Sequence, residues 1–130
     1  MKIKLLELRF LKQNKVNVTF SSDLGIGFGY WNSSNHVKEG MEVEVELDIP
    51  GTLCFGKDIV ESMDEEPKLY ISMDKVNLIG RVEQIEYDNI IAVRLGHSIL
   101  LIEVDDPSMF EAGRWIKIQT NELQITDFMF

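Results

Sequence analysis

Four carboxylates stand at every second position, Glu42, Glu44, Glu46 and Asp48, alternating with Met41, Val43, Val45, Leu47 and Ile49. A period of two puts the acids on one face of a strand and the apolar residues on the other. Successive side chains on such a face lie roughly 6.6 Å apart, too far for neighbours to clamp one metal ion together. The acids repel one another, which solvates the face and discourages edge-to-edge aggregation. The alternative chemistry is recognition of a basic partner, where charge speeds encounter. The acid continues past the strand: residues 41 to 66 hold nine acids against Lys57, a net of −8. Residues 1 to 15 hold five bases against Glu7, a net of +4. A basic first strand beside the ladder would neutralise it across the sheet.

The second group is aromatic. In Gly25-Ile26-Gly27-Phe28-Gly29-Tyr30 every second residue is glycine. The spacing is not that of a dinucleotide loop, and no helical period follows. It reads as a strand with one bare face and one packed face, with Phe28 and Tyr30 in the core. Trp31 has the opposite parity and precedes the polar loop Asn32-Ser33-Ser34-Asn35-His36. It is therefore expected to be exposed, an anchor for a partner. Trp115 has parity opposite to Ile116 and Ile118 and is placed on an outer face.

Other reactive types stand alone. His36 and His97 belong to no ligand cluster and are read as surface residues. Cys54, between Leu53 and Phe55, reads as a small buried side chain. Glu61 to Glu66 lacks the alternating ligands and glycine of a calcium loop. Asp105-Asp106 before Pro107 opens a turn. The motifs of serine nucleophiles and phosphate loops are absent. No catalytic residue, metal site or cofactor is expected. The binding residues expected are Glu42, Glu44, Glu46, Asp48 and Trp31.

These groups need a frame. A chain of 130 residues, 45% hydrophobic, suits one domain over residues 1–130. There is no apolar run long enough to span a bilayer, and Lys4, Glu7 and Arg9 interrupt the first segment. One cysteine fits a reducing compartment, and the expected location is cytoplasmic. The net charge of −9 argues against nucleic acid and toward a basic protein partner.

The pattern predicts about nine or ten strands and at most one short helix, in a closed or nearly closed all-β barrel. A bulge near Leu5–Leu6 reconciles the parities of the first strand. A turn at Gln13-Asn14-Lys15 would set Phe10 against Val18 and Leu8 against Phe20. Lys57 to Glu66 is the only helix-tolerant piece. Val76 to Tyr87 reads as one long strand bent at Gly80, turning at Tyr87-Asp88-Asn89. A Gly96-His97 turn sets Val93 opposite Leu100 and Ile91 opposite Ile102, with both faces apolar. A last hairpin would pair Ile118 with Leu123 and Ile116 with Ile125.

Gly80-Arg81-Val82 on the bent strand, Leu95-Gly96 in the hairpin and Gly113-Arg114-Trp115-Ile116-Lys117-Ile118 together resemble a small OB-like β-barrel over about 55 residues of the second half. The resemblance implies a coiled barrel and, as an alternative function, a single-stranded nucleic-acid binder using Trp31, Tyr30, Arg81 and Arg94. More loosely, a small acidic β protein is similar to bacterial immunity proteins that neutralise toxins. The function expected is a non-enzymatic protein-binding module with an acidic recognition face, as in an immunity or inhibitor protein. A further alternative is an enzyme with a carboxylate-based site that no motif singles out.

Overall fold

A computed structural model describes residues 1–128. The strands are β1 (Lys2–Phe10), β2 (Val16–Ser22), β3 (Gly25–Trp31), β4 (Glu42–Asp48), β5 (Thr52–Leu53) and β6 (Ile59–Glu61). They continue as β7 (Lys68–Ser72), β8 (Lys75–Ile85), β9 (Ile90–Leu95), β10 (Ser98–Val104), β11 (Trp115–Thr120) and β12 (Gln124–Asp127). The only helical turns among the described residues are of 3-10 type, at Lys12–Asn14 and Pro107–Met109. The described residues are all-β, with twelve strands rather than nine or ten. The helix-tolerant segment yields the three-residue strand β6 instead, because Ile59 is buried in the core and pairs with Ile118.

Five strands close a barrel in the order β1–β2–β3–β12–β4 and back to β1. Four contacts in the ring are antiparallel; β12 meets β3 in parallel at Gln124–Tyr30 and Ile125–Trp31. Closure removes the free edges that an open sheet would expose. Ile3, Leu5, Val18, Phe20, Val43, Val45, Leu47 and Ile125 fill it. The expected bulge is present, as a register shift between Leu5 and Glu7. The first hairpin pairs Phe10 with Val16 and Leu8 with Val18, two residues from the expected register. Gln13 and Asn14 adopt left-handed φ of 63° and 59°, which tightens the turn and shifts the pairing.

The second half builds an adjoining ladder around β8. β7 and β9 pair with successive parts of β8, and β11 pairs along its other edge. β10 and β5 extend the β9 side, β6 extends the β11 side, and a Phe55–Ile59 bridge brings the two ends together. The Val93–Leu100 and Ile91–Ile102 pairs form as expected. At Gly80 a side chain would meet the Arg94 carbonyl at 2.6 Å, so the bend depends on a bare backbone. The expected last hairpin does not form. β11 goes to β8 and β6, and β12 goes to β4 and β3, because the residues between them carry the chain from one ladder to the other. The closed ring thus uses the first 48 residues and the last strand, whereas Gly80 to Ile118 builds its neighbour. One continuous apolar cluster runs through both.

Candidate binding surface

The acidic ladder lies on the outer wall of the ring. β4 alternates exposed Glu42, Glu44, Glu46 and Asp48 with buried Val43, Val45 and Leu47. Its two ends meet different neighbours. Lys4 lies opposite Glu42 and Lys2 opposite Glu44. Lys2 Nζ reaches Glu42 Oε2 at 3.3 Å, and the Met1 amine reaches Glu44 Oε2 at 3.6 Å. With Lys2, Glu42 and Glu44 in solvent these pairs contribute about 0–1 kcal/mol each, but they answer half of the ladder's charge. Beyond them Glu46 faces Thr126 and Asp48 faces Gln124, both uncharged. The rest of the acidic segment, residues 57–66, belongs to the second ladder.

Trp31 is half-buried and packs against the core instead of standing exposed. Its parity is that of the inward-facing Gly27 and Gly29. The indole Nε1–H donates to the Asn35 carbonyl at 3.2 Å. The polar loop after it is tied down rather than free. Ser33 Oγ donates to Asp127 Oδ1 at 2.5 Å and Asn35 Nδ2 donates to Asp127 Oδ2 at 2.9 Å. Asp127 is buried on β12, so the ring's closing strand also anchors this loop over the Trp31 end.

The glycine strand is turned inside out relative to expectation. β2 and β3 pair Val18 with Gly29 and Phe20 with Gly27. Since Val18 and Phe20 are buried, the bare face is the one that points inward. An added Cβ at Gly27 would meet Leu69 Cδ2 at 2.6 Å, and one at Gly29 the Leu123 carbonyl at 2.6 Å. The glycines therefore let bulky neighbours close over the barrel, and they force Ile26, Phe28 and Tyr30 onto the outer wall. There Ile26 is exposed and Phe28 and Tyr30 are half-buried, Phe28 with part of its ring still packed against the core.

This wall carries an open groove of about 430 Å³. Glu7 and Arg9 of β1, Asn17 and Thr19 of β2 and Phe28 and Tyr30 of β3 make its floor, and Ile71 and Asp74 one side. A second groove of about 430 Å³ shares Tyr30 and runs past Lys15, Pro50 and Gln124. The pairings Asp48–Gln124 and Gln124–Tyr30 put the Asp48 backbone two strands from that of Tyr30, about 10 Å across the sheet. The uncompensated end of the ladder thus meets the aromatic wall. Sequence reading placed Phe28 and Tyr30 in the core; the signal for the opposite choice was the large inward Phe20 on the pairing strand.

The remaining candidates lie apart from this wall. Arg81 and Arg94 belong to the second ladder and both approach Glu83, at 3.8 and 3.1 Å. The structure does not join them to Trp31 and Tyr30. His36 and His97 are exposed as expected, while Cys54 is half-buried rather than buried. Trp115, half-buried, shares the alternating outward parity of Lys117 and Gln119 on β11, as expected. Asp106 does open a turn: its Oδ1 accepts from Ser108 Oγ at 2.6 Å and Ser108 N at 3.0 Å. Those bonds, the hydroxyl's first, hold its carboxyl below the ordinary value. Among the described residues, no three His, Cys, Asp or Glu side chains are grouped to hold a metal ion. No helix among them is long and apolar enough to cross a membrane. Comparison of the chain with family models, with curated proteins and with solved structures returns no match.

Proposed function

We propose that the chain is a non-enzymatic protein-binding module whose partner is basic, and that recognition uses the outer wall of β1, β2 and β3 together with Glu46 and Asp48. One observation carries this reading: the inward glycines of β3 put Phe28 and Tyr30 on the surface beside an open groove. A folded chain gains little by leaving two aromatic rings partly in water, whereas an interface gains most from such anchors. The adjoining acids supply the sign of the partner. An immunity or inhibitor protein acting on a basic toxin-like domain is one form of this function.

The test is capture of partners from the native cell on immobilised wild-type protein and on two variants. One is Phe28→Ser with Tyr30→Ser, the other Glu46→Lys with Asp48→Lys. A basic protein should be retained by the wild type and lost by the first variant, with affinity reduced about 30-fold or more for a hot-spot pair worth ~2 kcal/mol. The second variant should bind more weakly and with less dependence on salt. Retention that ignores both pairs of substitutions would remove the proposal.

A further inference from the structure

Strands β3 and β7 run parallel but share one ladder pair, Gly25 with Leu69. There the Leu69 N–H donates to the Leu24 carbonyl at 3.0 Å. Gly25 has φ of 136°, and an added Cβ would fall 1.9 Å from the Leu69 carbonyl oxygen, so the contact depends on glycine. Beyond it the strands part. β7 turns back through Met73 and Asp74, with φ of 54° and 61°, into β8. β3 runs on to β12, where the Tyr30 N–H donates to the Leu123 carbonyl at 2.8 Å.

These bonds fix the direction of the free groups between them. The Tyr30 amide points away from β2, and the two-residue alternation of a strand aims the Phe28 amide and carbonyl the same way. By the same alternation from Leu69, the Ile71 amide and carbonyl point away from β8 and toward β3. Among the described residues no strand pairs with Phe28 or Ile71 on those edges. Both residues line the groove described above. Its mouth is acidic: Arg9 lies 3.8 Å from Glu7, while Asp74 has no cation within ion-pairing distance among the described residues.

We infer that an extended segment of the partner, with a basic residue placed at Asp74, adds as a short strand along this seam. The inference rests on the reading of the β1–β2–β3 wall as the binding face and specifies how a partner engages it. Unpaired strand edges recruit polypeptide backbone, and side-chain positions beside them set specificity. A second copy of a chain with net charge −9 is disfavoured by repulsion.

The probe is a displayed library of random peptides of about a dozen residues, selected on the intact protein. The best binder is synthesised, along with two forms N-methylated at alternate positions. Both methylated forms should lose at least roughly tenfold in affinity, since alternate amides of a strand lying in the seam face β3 and β7 in turn. Bound peptide should slow exchange of the Phe28 and Ile71 amides relative to the free protein. Ile71→Pro removes an amide outside the β7–β8 ladder and should weaken binding about tenfold, and Asp74→Lys should also weaken it. If a peptide binds through Phe28 and Tyr30 but tolerates both methylation patterns, strand addition is wrong and the binding wall stands. If no peptide is enriched, or binding ignores Phe28→Ser and Tyr30→Ser, both fall. Self-association in place of peptide binding likewise overturns the inference.

Discussion

At the scale of the residue, environment decides what each acid does. Glu42 and Glu44 share a strand face with Glu46 and Asp48, yet among the described residues only the first two meet cations, because β1 ends its pairing with β4 there. The sequence showed the ladder and the basic first strand, and even their adjacency was legible from opposite charge. Where the pairing stops was not, since that is a matter of how distant strands meet in the closed ring. Asp106 gives a sharper case. Its carboxylate is stabilised by Ser108, so whatever it adds to stability is present above the unfolded-state value and is lost as pH falls through the lowered native one. Ser108→Ala removes the larger cause. A carboxyl-carbon NMR titration should then show the Asp106 midpoint moving up toward the ordinary range; an unchanged midpoint would assign the shift to another source.

At the scale of the element, local chemistry determined the hairpins whose turns it dictates. Gly96-His97 fixed the β9–β10 register, and both predicted pairs across that hairpin, Val93–Leu100 and Ile91–Ile102, form. Where the turn held more residues, as at Lys12–Asn14, the register moved by two. β3 shows why a strand's faces cannot be assigned from that strand alone. Glycine and aromatic alternate faithfully, but which side faces inward is set by the β2 residues opposite, Val18 and Phe20. A substitution separates the two faces. Gly29→Ala drives a methyl group against the Leu123 carbonyl of a tightly packed wall and should cost about 1–3 kcal/mol, read as a lower urea midpoint. Phe28→Ser on the opposite face should cost less than a buried Phe would. A larger loss for Phe28→Ser than for Gly29→Ala would return Phe28 to the core.

At the scale of the whole molecule, an all-β barrel was readable from strand periods, and the OB-like likeness described the class of architecture. What escaped was long-range closure. β12 follows β11 by a few residues, yet it seals the ring begun by β1, and no local pattern distinguishes that from a hairpin. Loop closure over such separations is settled by the shared apolar core, in which Phe20 is fully buried beside strands from both ends of the chain. The same closure shapes the proposed binding wall. It sets β3 between β2, β7 and β12, leaves part of its edge open and lays Asp48 two strands from Tyr30.

The central claim is that the aromatic wall, not the acidic ladder alone or Trp31, meets the partner. It is tested most directly by backbone amide shifts of the labelled protein while the captured basic partner is titrated in. The account predicts changes concentrated at Arg9, Asn17, Thr19, Phe28, Tyr30 and Ile71, extending to Asp48. Changes confined to β4 from Glu42 to Glu46, or to the loop after Trp31, with the wall silent, would contradict it.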